Sequence, residues 1–150
     1  MTPADYVDEI VLPAMKDFQA DRRSRRYTYQ ACMAVFHIKD HLGKAGEKDV
    51  HRRTRRRAGG SYFDVVRAIT NGAKHVETDA THPIPFRAGN DVDRPPGIWG
   101  AAVADVSNWD DAVGGRQIVS VDLYEACRRT LTAFADEFPG QIGACDLSGL

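Results

Sequence analysis

The residues best suited to chemistry lie late in one predicted helix, within residues 61–75. Arg67, Asn71 and His75 recur every fourth residue, so they share one face of that helix. A histidine can transfer protons while a nearby cation stabilises charge on a phosphate. The same row also suits the solvated face of an ordinary amphipathic helix. The row therefore indicates either a working surface or a polar exterior.

The other face of this predicted helix is apolar, which assigns it to a protein core. That face carries Tyr62, Val65, Val66, Ile69 and Ala73. Ser61 followed by Asp64 resembles a capping box, so the helix is expected to start there. Asn71 followed by glycine can also end a helix, which would leave Lys74 and His75 in a loop.

A dense basic run at residues 51–57 is the strongest nucleic-acid signal in the chain. The formal net charge is −1, yet residues 21–57 carry twelve Lys or Arg against four acids. Guanidinium groups contact phosphates in a fork geometry, which predicts nucleic-acid binding by the run together with Lys74. The arginines of the run are Arg52, Arg53, Arg55, Arg56 and Arg57. The alternative is a solvated, mobile connector.

The element NGAKH at residues 71–75 resembles the motif of the HEPN superfamily (higher-eukaryote and prokaryote nucleotide-binding), whose members are small helical bundles. Asn71 and His75 match the polar residue and the histidine of that motif. Thr70 stands where the family has arginine, and the nearest upstream arginine is Arg67. Eight helical steps separate Arg67 from His75 by about 12 Å along the helix axis.

The resemblance implies a homodimer that engages RNA in a bacterial defence, toxin–antitoxin or mobile-element setting. It implies metal-independent RNA cleavage, or a degenerate relative that only binds. His75 would be the acid/base, Asn71 would orient the substrate and Arg67 would be the cation. No cofactor is implied by any motif. The rival hypothesis is a non-catalytic protein–protein interaction or structural module.

A second histidine pair leaves a metal site open as a further alternative. His37 and His41 are four residues apart on a predicted helix, a spacing that can hold one divalent ion. No third ligand with suitable spacing is evident, and a polar seam packed against another helix or subunit is favoured. We therefore predict no metal.

The whole pattern predicts a mainly α protein, an antiparallel bundle of about four main helices with a β-hairpin at about 97–121 before the last helix. Residues 1–140 form a single domain and residues 141–150 a C-terminal tail. Pro13 predicts a kink or break near Leu12, and residues 77–97 form a long irregular segment. The odd, dispersed cysteines favour reduced thiols. Without a signal peptide or membrane span, a cytoplasmic location is expected.

Overall fold

The computed structural model describes residues 1–74, 117–118, 121–143 and 145–150, and these are mainly helical. The predicted mainly α class is confirmed. The elements are α1 (Pro3–Tyr6), a π-helical turn (Val7–Val11), α2 (Leu12–Ala20), α3 (Arg25–Lys44), α4 (Val50–Ala58), α5 (Gly60–Lys74), β1 (Gln117–Ile118), β2 (Val121–Asp122), α6 (Leu123–Glu137) and α7 (Pro139–Ile142). Helices α2 to α6 pack against one another around one core. Their antiparallel order stays a prediction.

The predicted β-hairpin is not shown. Its first strand, at residues 97–106, lies outside the described residues, as does the irregular segment at 77–97. At the C-terminal end of the predicted hairpin, β1 pairs antiparallel with β2. Gln117 lies opposite Asp122, and Ile118 lies opposite Val121. This pairing spans two residues on each side, much less than the hairpin that we predicted.

Side-chain caps fix three helix starts. The Thr2 hydroxyl accepts the Asp5 N–H at 3.1 Å, and the Asp5 carboxylate accepts the Thr2 N–H at 2.8 Å. The Ser24 hydroxyl accepts the Tyr27 N–H at 3.3 Å at the start of α3, and Asp122 Oδ1 accepts the Glu125 N–H at 2.7 Å at the start of α6. These caps satisfy backbone donors that have no partner within their helices.

Pro13 changes the first helical segment without ending it. Proline lacks the N–H that would bond four residues back, and its ring crowds the preceding turn. The chain widens just before this point into the π-helical turn, where the Leu12 N–H donates to the Val7 carbonyl. The predicted kink or break near Leu12 is therefore a local widening, and α2 continues to Ala20.

The core is built mainly from α3, α5 and α6, which bury large aromatic and aliphatic side chains. The largest fully buried ones include Phe18, Phe63, Phe134, Ile38, Leu42, Ile69 and Leu131. Cys32 on α3 and Cys127 on α6 are buried free thiols with their sulfur atoms 3.5 Å apart. Their mutual hydrogen bond and their burial raise the pKa of Cys127, so it stays a neutral thiol.

The basic run and the C-terminal residues both pack against the rest of the fold, and neither is a loose connection or tail. The basic run forms helix α4, which is joined to α5 by Gly59 alone, at a φ of 82°. This left-handed backbone suits glycine because it has no Cβ. At the C-terminus, in the region predicted as a tail, Ile142 is buried and Leu147 and Leu150 pack against the core. Across the described ranges, no helix combines the length and apolarity needed to cross a membrane.

Candidate functional site

The predicted polar row on α5 is described only in part. Arg67 and Asn71 are both half-buried, one helical turn apart. The helix continues through Asn71 and Gly72 to Lys74, so the asparagine–glycine pair does not end it. His75 lies outside the described residues, and the side chain of Lys74 is not described either. The meeting of His75 with Arg67 and Asn71 therefore stays a prediction.

Thr70, at the position that the HEPN motif gives to arginine, belongs to the core. Its side chain is fully buried. The hydroxyl lies 2.9 Å from the Val66 carbonyl in its own helix and 3.1 Å from the Cys32 carbonyl on α3, so its single proton serves one or the other. This side of α5 therefore faces α3, and a guanidinium here would be taken out of water.

The arginines of α4 are mostly held by carboxylates of the same chain. Arg55 donates hydrogen bonds to both carboxylate oxygens of Asp64 on α5, with N–O distances of 2.6 to 3.1 Å. Asp64 belongs to the capping box that we predicted at the start of α5. Its side chain is only 5% exposed, whereas the side chain of Arg55 is 47% exposed. Arg53 donates to the Glu137 carboxylate at 3.2 Å and to the Glu137 carbonyl at 2.7 Å on α6. Such bidentate, charge-assisted contacts orient both partners.

Of the remaining three arginines of the run, two are paired with carboxylates and one is not, within the described residues. Arg57 donates to Asp136 on α6 at 2.8 Å, and Arg52 donates to Asp49 at 2.7 Å. In the part of the chain that the structure describes, Arg56 makes no ion pair. The run is therefore neither a mobile connector nor a uniformly free cationic patch, because α4 is tied to α5 and α6.

His51, at the start of this run, is a candidate that the sequence reading missed. It is half-buried, and its ring meets Phe63 edge to face, with centroids 4.8 Å apart. Burial lowers the pKa of His51, and the positive charge of Arg67 lowers it further. Lys39 and Arg55 act in the same direction, and only Asp64 opposes them. The imidazole is therefore neutral near pH 7 and able to accept a proton.

The groups around His51 come from three helices. Lys39 on α3 lies over the Phe36 ring at 4.9 Å, and Phe36 in turn lies 5.9 Å from Phe63 between ring centroids. Arg67 follows Phe63 by one turn of α5. A neutral imidazole among these cations has the groups that phosphate chemistry needs, a proton acceptor and positive charge. The spacing of His51 and Arg55, four residues apart on α4, was the sequence signal that could have found it.

His37 and His41 have separate partners in the described structure. His37 Nδ1 lies 2.7 Å from an oxygen of Asp40. The His41 ring stacks on Tyr6 of α1, with centroids 4.0 Å apart and planes 15° from parallel. Burial is the largest cause that lowers the pKa of His41. Among the described residues, no three histidines, cysteines or carboxylates are grouped to hold a metal ion.

An apolar groove lies between α3 and the first helical segment, which consists of α1, the π-helical turn and α2. It encloses about 360 Å³, and Tyr6, Ile10, Ala14, Met33 and Ala34 form much of its lining. Ile10 is 43% exposed, which is high for a large apolar side chain. Grooves with exposed apolar side chains are common at protein interfaces.

Comparison of the chain with protein-family models, with curated proteins and with solved structures found no match. The HEPN resemblance therefore depends on the residues 71–75 and on the helical layout alone. It stays a hypothesis, and the functional argument has to come from the side chains of the fold itself.

Proposed function

We propose that this chain binds RNA through its phosphates, as a HEPN-like protein of a bacterial defence, toxin or mobile-element system. The observation that carries the proposal is the set of cations around the half-buried His51. Lys39, Arg55 and Arg67 come from three different helices, and each of them lowers the pKa of this one imidazole. Asp64 holds Arg55 and opposes this shift, so three cations face one carboxylate. The excess positive charge beside a neutral histidine favours a phosphate over a neutral ligand.

Catalysis is the more specific form of this proposal. In it, His75 is the acid/base, Asn71 orients the substrate and Arg67 stabilises the charge on the phosphate, in a site completed by a second copy of the chain. His51 adds a second imidazole that is influenced by the same Arg67. Two histidines at one site can divide the roles of proton acceptor and proton donor.

Binding is tested with a labelled single-stranded RNA oligonucleotide, by fluorescence anisotropy at several salt concentrations. A surface that uses all five arginines of the run gives a log–log salt slope on the order of −3.5. A surface that uses Arg56 alone gives a slope of roughly −0.7. Because four of the five arginines have carboxylate partners, we expect a value between the two. An absence of RNA binding at low salt would refute the proposal.

Cleavage is tested with mixed RNA and four proteins: wild type, His75→Ala, His51→Ala and Arg56→Ala. We expect loss of cleavage with His75→Ala, a slower rate and altered pH profile with His51→Ala, and no change in the cleavage step with Arg56→Ala. Equal RNA profiles for wild type and His75→Ala would exclude His75 as catalyst. Wild-type protein that leaves RNA intact but binds it would identify a relative that only binds.

The second candidate function is self-association through the apolar groove between α3 and the first helical segment. The observation that favours it is the exposed Ile10 beside the groove. Sedimentation equilibrium of Ile10→Glu tests it, with Glu9→Gln as a control for an exposed neighbour on the same turn. We expect a weaker dimer with Ile10→Glu only. A wild-type chain that is monomeric at all accessible concentrations would contradict this candidate.

A further inference from the structure

A cationic groove lies between α4 and α6. Of its lining residues, Arg57 belongs to the set that we predicted to act on RNA. The groove encloses about 220 Å³, and both helices contribute to its lining. The lining residues are Arg57, Ala58, Arg128, Arg129, Thr132, Ala133 and Asp136. Three guanidinium groups therefore surround one open space, with a hydroxyl and a single carboxylate between them.

Two carboxylates near this groove balance only two of its three arginine charges. Arg128 and Arg129 both donate to Glu125, at 2.8 Å and 2.7 Å through their Nε atoms. One negative charge thus serves two guanidinium groups. Arg57 directs Nε and Nη2 at a single oxygen of Asp136. The groove keeps an excess positive charge, which attracts an anion.

The same contacts leave hydrogen-bond donors available. Asp136 takes up Nε and Nη2 of Arg57, and Glu125 takes up Nε and Nη2 of Arg128 and Nε of Arg129. Among the described residues, the Nη1 groups of these three arginines have no hydrogen-bond partner. The Arg129 guanidinium also lies over the Tyr62 ring at 4.5 Å, which restricts its position. Within the described part of the chain these donors are thus free, while the carboxylates orient the guanidinium groups that carry them.

We propose that this groove is a phosphate-binding site, through which the chain holds one phosphodiester group of an RNA strand. The Nη1 groups of Arg57, Arg128 and Arg129 each donate to a non-bridging phosphate oxygen, in charge-assisted hydrogen bonds. Asp136 remains as the carboxylate that orients Arg57. That the phosphate belongs to RNA depends on the proposed function; that the groove binds phosphate does not.

A sequence signal for this site exists and was not used. Glu125 is followed three and four residues later by Arg128 and Arg129, so a single helix turn places two cations on one carboxylate. Only the packing of α4 against α6 adds Arg57 to them. The site therefore depends on a tertiary contact between residues 71 positions apart or more.

The phosphate test uses the full chain, with NMR signals of the arginine Nε–H groups followed during a titration with inorganic pyrophosphate. We expect saturable shifts of the signals from Arg57, Arg128 and Arg129, and no saturable shift of Arg26, which is exposed on α3 outside the groove. Sodium chloride at equal ionic strength is the control for screening. Equal shifts at Arg26, or none at the groove arginines, would overturn the site.

The RNA test compares Arg128→Gln/Arg129→Gln with the control Lys16→Gln/Arg26→Gln by anisotropy, because the control removes the same charge from exposed residues outside the run and the groove. Loss of one phosphate contact reduces the steepness of the log–log salt slope by about 0.7. We expect this change, with weaker binding, only for the groove variant. Arg128→Lys/Arg129→Lys keeps the charge but loses the guanidinium donors, and should restore part of the affinity. Thermal melting of each variant checks that the fold is intact.

The outcomes separate the two proposals. RNA binding that is unchanged by the groove variant, but weakened by changes around His51, would refute the groove as an RNA contact and leave the proposed function standing. Saturable pyrophosphate shifts in a chain that binds no RNA would refute the proposed function and keep the groove as a phosphate site. Pyrophosphate shifts together with a flatter salt slope would support both.

Discussion

Helices α4 and α6 both carry arginines, but they use them differently. Helix α4 has the denser charge, and four of its five arginines are paired with carboxylates of the same chain. Helix α6 has only two, Arg128 and Arg129, and these share Glu125. The helix with fewer arginines therefore leaves the larger share of its arginine charge unbalanced, one of two in α6 against one of five in α4.

The difference shows that charge density along a sequence is not charge availability on a surface. In α4 the carboxylates that bind Arg53, Arg55 and Arg57 come from other helices, so packing decides which of these arginines is neutralised, whereas the pair of Arg52 with Asp49 is local. In α6 the carboxylate and both arginines are local, so the excess charge is fixed by helical spacing alone. Four measurements, in order of expected effect, test this comparison.

The largest effect is expected from Arg55→Ala. It leaves the buried carboxylate of Asp64 without its bidentate partner, and an unpaired buried acceptor costs roughly 1–3 kcal/mol. We expect the free energy of unfolding, measured with urea, to fall by about that amount. Arg56→Ala is the matched control, because Arg56 is exposed and unpaired in the described structure. A fall of the same size in both variants would mean that Asp64 does not need Arg55.

A change in RNA affinity is the next expected effect, from Glu125→Gln. The substitution removes the one carboxylate shared by Arg128 and Arg129, so the groove becomes more positive. We expect RNA to bind a few-fold more tightly, in line with about 0.5–1 kcal/mol for a partly exposed charge. The Glu9→Gln variant, at an exposed position of the π-helical turn, controls for a general gain of positive charge. Equal gains for both variants would show that attraction is not localised at the groove.

The pH dependence of stability tests the environment of His51. Burial and Arg67 lower its pKa in the folded chain, so the unfolded chain binds the proton more readily. Stability is therefore fully present above the unfolded pKa of about 6.5 and falls as pH drops toward the lowered value. The pKa of His41 is lowered as well and acts in the same direction. We expect urea unfolding at pH 7.5 and 5.5 to show this loss, and His51→Gln to reduce it.

The smallest effect is expected from Arg67→Gln, measured as a shift in the titration of one histidine. Removal of the positive charge should raise the pKa of His51, observed by NMR through its ring protons. Lys16→Gln, on the exposed side of α2, controls for net charge. A pKa that does not move would show that Arg67 does not act on His51, and would weaken the cationic cluster as a phosphate site.

The fold was predictable where the signal was local. Thr2, Ser24 and Asp122 fix helix starts through contacts within four residues, and apolar periodicity identified the buried face of α3. These features depend on the neighbours along the chain, which a sequence displays directly. Pro13 was also recognised, but its outcome was not, because a helix can absorb a missing N–H by widening as well as by bending.

The candidate sites were predictable only in their residue types. The run at residues 51–57 was noticed as basic, but its partners Asp64, Asp136 and Glu137 are distant in sequence, so no pattern could assign them. His51 was overlooked for the same reason, since its surroundings come from α3 and α5. The region that carries His75 lies outside the described residues, and its predicted role has not been tested.

The single residue between α4 and α5 gives the arginine run an unusual sensitivity. A Cβ added at Gly60 would lie 3.2 Å from Arg55 Nη2, and Gly59 holds a backbone that other residues adopt only under strain. One linker glycine is therefore needed for its backbone torsion, and the next leaves room for the Arg55 guanidinium that binds Asp64. A substitution here that changes no charge is thus expected to disturb a contact between charged groups.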